Sequence, residues 1–177
     1  MNKKHLILVV TMIIVGFVLR LFPHPANFAP IMALALFSGL YLPKRLNVII
    51  PVVAMLISDI FLGFYSLPIM FSVYASFILA TVLGTWLKKH KNIGNVILTT
   101  FAGSSLFFLV TNFSVWAFGT MYTHNLPGLM QSYYMALPFF RNSLMGDLFY
   151  VGIFVGVAEM AIKYLKVEKM SKAENRV

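Results

Sequence analysis

The chain reads as an all-α integral membrane bundle of six transmembrane helices. Two observations predict it. Sixty per cent of the 177 residues are hydrophobic and 11% are charged, against about 25% charged in an ordinary soluble domain. The basic residues also fall in short clusters between apolar runs, and six crossings bring every cluster to one side. Water would leave that much apolar surface unsatisfied; a bilayer covers it. The length suits one transmembrane domain over 1–177 with no separate soluble part.

Each element follows from a run of apolar residues, since a span takes about 20 of them in a helix that satisfies its own backbone groups. The first run, 5–21, has the charge and apolar core of a signal peptide. No small-x-small cleavage site precedes Phe22-Pro23-His24-Pro25, so a retained first helix is expected. The second run, 29–42, is short, opens at Pro30 and stops at Pro43; it either borrows from the preceding loop or is partly re-entrant. The third, 46–63, contains Pro51, where a kink is expected. Runs at 68–87, 94–118 and 142–165 complete the six.

Lys3 and Lys4 precede the first helix, Lys44 and Arg45 follow the second, and Lys88, Lys89 and Lys91 follow the fourth. Lys163, Lys166, Lys169, Lys172 and Arg176 lie at the end, most of them in a basic tail over 166–177. Twelve of the fourteen lysines and arginines are then cytoplasmic, with both termini inside a cell (inner or plasma) membrane. The net charge of +9 thus reports topology, and no nucleic-acid partner is expected. Residues 119–141 form an outer loop, read as a lid or interfacial helix, or else as an aromatic belt around Tyr122, Tyr133 and Tyr134.

The chain contains no cysteine, which removes disulfides, thiolate nucleophiles and Cys-ligated metals. No Gly-x-Ser-x-Gly, P-loop or His-Glu-x-x-His motif occurs. The chain is therefore read as a non-enzyme with no cofactor and no metal, and active transport would draw on a partner or a gradient.

Polar groups inside apolar helices are costly and usually face the bundle interior. Here they are Arg20, Asp59, Asn112, Asp147 and Glu159, with Arg141 at the mouth of the last helix. Counted from the expected helix ends, Asp59 and Asp147 both lie roughly 6–8 Å below the outer rim. That layer predicts an outward-facing pocket for a small solute, lined by Arg20, His24, Asn27, Asp59, Asn112, Trp116, Arg141 and Asp147. The arginines would hold an anionic group or pair with the aspartates, which would then simply lock helices together. Asn112 alternatively bonds a neighbouring helix. Glu159 is expected to pair with Lys163 at i+4. Gly152-x-x-x-Gly156 and Ala80-x-x-x-Gly84 are expected to be close-packing positions. Two further readings stand beside the pocket: a membrane scaffold or assembly protein without a ligand, and an enzyme using the two aspartates as acid and base.

The stretch Arg20-Leu-Phe-Pro-His-Pro-Ala-Asn-Phe-Ala-Pro-Ile, with Asn112-Phe-Ser-Val-Trp-Ala and Ala136-Leu-Pro-Phe-Phe-Arg-Asn-Ser-Leu-Met-Gly-Asp, resembles an uncharacterised bacterial membrane family. More distantly, the layout is similar to the S components of energy-coupling-factor vitamin transporters, which implies a six-helix solute-binding fold with both termini inside. Within that class the solitary vitamin B12 uptake type carries an outer His, an Asp on helix 3 and an Arg before the last helix. His24, Asp59 and Arg141 would correspond, which implies a vitamin-like and even cobalamin-type ligand. That type's cobalt-binding cysteine has no counterpart here. The Ala-x-x-x-Ala motif for docking on an energising transporter module is missing from 5–21. The resemblance therefore implies a protein that acts alone or docks differently.

Overall fold

The computed structural model describes residues 3–23, 25 and 27–174, so the expectation for His24 lies outside the described residues. Six helices follow in order: α1 Lys3–Leu21, α2 Ile31–Tyr41, α3 Ile49–Leu62, α4 Leu67–Leu87, α5 Ile93–Phe118 and α6 Leu126–Glu174. No strand occurs among the described residues. Three helical stretches are long and apolar enough to cross a membrane: α4, α5 and Leu126–Leu165 of α6. The apolar stretch Val9–Leu21 of α1, and the whole of α2 and α3, are shorter.

Two element ends differ from expectation for local reasons. Pro51 stands in the first turn of α3, because the helix opens at Ile49. A first-turn N–H has no intrahelical partner to lose, so no kink is required there. The segment read as an outer loop over 119–141 is non-helical only to residue 125. Asn125 caps the next helix, its Oδ1 accepting from the Gly128 amide at 2.9 Å, and Pro127 fits the opening turn. The helix then runs on through Pro138 into the last apolar run. A proline lacks only one amide hydrogen bond, and the long helix carries that loss.

α2 is the hub. Met32 to Leu40 are all buried, and all five other helices touch α2. A helix apolar on every side needs such a sheath. Glycines let the sheath close in. A Cβ on Gly84 would collide with the Leu36 carbonyl, and one on Gly39 with the Thr81 carbonyl. Gly16 of α1 and Gly103 of α5 similarly admit the side chains of Leu34 and Met32. Ala80-x-x-x-Gly84 is thus a close-packing pair, with Ala80 fully buried. Gly152 and Gly156 are not: a Cβ on either meets nothing within 4 Å.

Hydrogen bonds tie together one end of the bundle. Asn47 Nδ2 donates to Thr85 Oγ1 at 2.9 Å, and Lys88 Nζ donates to the Leu42 carbonyl at 3.1 Å. The basic turns after α2 and α4 therefore sit side by side. Glu159 belongs to this same end. It accepts from Lys91 and from the Tyr41 hydroxyl, each at 2.5 Å, so its described partners are Lys91 and Tyr41 in place of the expected Lys163. The Lys91–Glu159 side chains are 37% and 42% exposed, and surface pairs contribute little. Glu159→Gln should lower stability by about 1 kcal/mol or less in a detergent unfolding titration.

Candidate functional site

The polar residues expected in one pocket divide into two groups. The first joins α1, α3 and α4. Arg20 Nη2 donates to Asp59 Oδ1 at 2.6 Å, and the Tyr74 hydroxyl donates to Oδ2 at 2.7 Å. Arg20 Nη1 donates to Ser58 Oγ and to the Met55 carbonyl. Asp59 is 1% exposed and the Arg20 side chain 12%. Both carboxylate oxygens are satisfied, so this group is a closed lock. The void beside it, between Phe17, Arg20, Ser58 and Phe77, is only about 10 Å³, scarcely the room one water needs. Tyr65, in the turn between α3 and α4, senses the same charges: burial and the Asp59 carboxylate push its phenol up to about 12, with Arg20 opposing.

The second group surrounds Asp147 on α6. Asp147 is 4% exposed, and its Oδ2 accepts from Ser104 Oγ of α5 at 2.7 Å. No cation pairs with it among the described residues. It faces a cavity of about 100 Å³ lined also by Asn27, Met32, Phe77, Phe107 and Ser143. A second cavity of about 120 Å³ adjoins it through the shared residues Asn27, Phe107 and Ser143. Its remaining walls include Ser104, Thr111, Asn112 and the aromatic rings Phe108, Phe139 and Phe140. Ile31 and Phe77 stand between this region and the Arg20 void, since they line both.

The remaining expected residues distribute unevenly. Asn27 borders both cavities from the loop before α2, in a left-handed conformation at φ 61° that asparagine tolerates. Asn112 lines the second cavity, but its Nδ2 donates to the Phe108 carbonyl one turn back, so its amide closes on its own helix. Trp116 lines neither cavity. Its Nε1 donates to the Thr123 carbonyl at 3.0 Å, tying the end of α5 to the following turn. Arg141 is exposed and reaches neither aspartate among the described residues.

The depth estimate also changes. Because α6 begins at Leu126, Asp147 is far from its N-terminal end. Its partner Ser104 is about 21 Å along α5 from Phe118 and about 16 Å from Ile93. Asp147 therefore lies near the middle of the bundle, while Asp59 lies one turn from the end of α3. The expected single layer of charge is really two levels. The segment over 119–141 supplies wall residues from a continuous helix, through Ala136, Phe139 and Phe140.

Ser104, Thr111 and Ser143 were not singled out from the sequence. Small hydroxyl residues in apolar helices usually bond their own backbone, as Ser104 and Thr111 also do here. The available signal was spacing: Thr100, Ser104, Thr111 and Ser114 repeat on one face of α5, and Ser143 precedes Asp147 by four.

A larger groove of about 520 Å³ runs between α5 and α6 past Ile93, Ile97, Leu148 and Gly152 to Lys91 and Glu159. Its walls are mainly aliphatic and its two charges satisfy each other. It lacks the convergent polar groups of the Asp147 cavities. No group of three or more metal-ligating side chains occurs among the described residues.

No curated protein and no solved structure matches this chain. A family model described as "Family of unknown function (DUF6580)" matches residues 1–170. The chain, with its buried lock at Arg20–Asp59 and its polar cavities at Asp147, belongs to that family.

Proposed function

We propose that this is a small-solute-binding membrane protein whose ligand sits beside Asp147. The observation that carries the reading is a buried carboxyl without a counter-charge among the described residues, facing a cavity that has aromatic walls and several amide and hydroxyl groups. Uncompensated polar groups at such depth are functional candidates. The reading keeps the S-component-like uptake role as its transport form, acting alone or with an energising module. The cavities favour a solute much smaller than a corrinoid. Mass spectrometry of molecules that co-purify in mild detergent tests it. A specific small solute should accompany the wild-type protein and fall at least tenfold in Asp147→Asn. Failure to retain any solute above an unrelated membrane protein would sink the proposal.

The same reading places six crossings in the bilayer with both termini inside. The two basic turns at one end of the bundle support it. Because the chain has no cysteine, single introduced cysteines can be mapped cleanly. A cysteine at Lys44 or His90 should react with an impermeant maleimide only after the cells are opened. One at Tyr65 or Tyr122 should react in intact cells. Labelling of both sets from one side would overturn the topology.

A scaffold without a ligand is the second reading. It is favoured by the Arg20–Asp59–Tyr74 lock, where every charge is already matched. The acid–base pair imagined for an enzyme finds less support, since Asp59 and Asp147 belong to separate networks.

A further inference from the structure

The two aspartates are equally buried but differently partnered, and the difference names a ligand class. Asp59 has a guanidinium and a phenol on its two oxygens. Asp147 has one serine hydroxyl on Oδ2 and no described cation. Its other oxygen is left for whatever fills the cavity that Asp147 lines. Ionised carboxyl groups are very costly to bury unless paired. No described residue supplies the matching charge, so a guest in the cavity can supply it unless the group holds its own proton.

The walls discriminate further. Phe77 and Phe107 stack at 5.5 Å and line the Asp147 cavity. Aromatic faces attract cations and do little for anions. The two arginines that would have received an anionic solute are elsewhere: Arg20 is bound to Asp59, and Arg141 is exposed and lines neither cavity. Asn27 and Ser143, common to both cavities, add neutral hydrogen-bonding capacity. The cavity next to Asp147 holds about 100 Å³, roughly three waters' share of liquid volume. That room suits a group of a few heavy atoms.

We infer that the Asp147 site takes a small organic cation, a protonated amine whose ammonium meets the Asp147 carboxylate while its carbon stem lies against Phe77 and Phe107. This inference rests on the solute-binding reading and names the charge of its ligand. The ammonium would donate to the other carboxylate oxygen and to Ser143 or Asn27, adding to the bond that Ser104 makes.

Calorimetric titration of the purified full-length protein in mild detergent tests it with three probes of nearly equal size: propylammonium, propanol and propionate. Propylammonium should bind at least tenfold more tightly than either of the others. Asp147→Asn keeps the shape and the Ser104 bond, so it should fold, and should abolish the preference for the cation. Phe107→Leu should weaken propylammonium binding several-fold, since the carbon stem loses its ring contact. Equal binding of propanol and propylammonium, or a cation preference that survives Asp147→Asn, overturns the cation class while a neutral-solute site stands. Tighter binding of propionate overturns it too. If none of the three binds, the cation class falls, and the co-purification experiment judges the solute-binding reading separately.

Discussion

Arg20→Met should destabilise the bundle by about 3–5 kcal/mol, the usual cost of removing one partner from a buried ion pair. Asp59 is 1% exposed, so its charge has no water to turn to. Tyr74 would still donate to one oxygen, but the guanidinium bond at 2.6 Å would be gone. Ser58 and the Met55 carbonyl would lose a shared donor as well. Methionine retains most of the arginine stem's apolar contact, so the loss measures charge pairing more than packing. The double variant Arg20→Met/Asp59→Leu should recover most of the deficit, because replacing both charges removes the desolvation burden. Asp59→Asn should fall between, since its amide still accepts from Tyr74 and Arg20 keeps Met55 and Ser58 as acceptors. Unfolding by SDS in mixed micelles reads all three. A single-variant loss below about 1 kcal/mol, the range of exposed pairs, would mean that water reaches the pair and the lock is open. This outcome would also reinstate Asp59 as a candidate ligand contact.

The helices were legible because each apolar run is bounded by charge, proline or glycine. The ends of α4 and α5 agree with the runs at 68–87 and 94–118 to within one residue. The start of α6 was hidden by mixed polarity: Gln131, Ser132 and Tyr133 look like loop, although Asn125 and Pro127 mark a helix start. That one boundary then misplaced Asp147 in depth. The Arg20–Asp59 contact was open to expectation, because intramembrane charges tend to pair. Arg141 stands apart from the site because nearness to Asp147 in sequence says nothing about helix face: six residues on a helix turn it about 600°, about 120° around the helix from Asp147. Partner choice for Glu159 was equally hidden. Lys91 is 68 positions away, and only the α5–α6 antiparallel packing brings them together.

The α2–α4 crossing should be the least forgiving place in the fold. Gly39→Ala would aim a methyl group at the Thr81 carbonyl, with the Thr85 amide nitrogen 2.9 Å away. Gly84→Ala would aim one at the Leu36 carbonyl oxygen, with the carbonyl carbon 3.0 Å away. Both obstacles are helical backbone, which cannot rotate aside as a side chain does. Overpacking typically costs about 1–3 kcal/mol, and these two sites should lie at the top of that range or beyond it. Gly152→Ala supplies the control, since a Cβ there meets nothing within 4 Å; its stability should change by less than about 0.5 kcal/mol. The two clashes act on a single interhelical distance, so once the first substitution has pushed α2 and α4 apart, the second finds part of its room already made. Gly39→Ala/Gly84→Ala should therefore cost less than the sum of the singles. Strict additivity would mean that the helices yield locally at each site, and α2 would then be less tightly sheathed than its burial implies. A wider crossing would also reach the ligand site, because Phe77 of α4 and Met32 of α2 line the Asp147 cavity. Solute retention should fall in Gly84→Ala even at temperatures where the protein stays folded, and persist in Gly152→Ala.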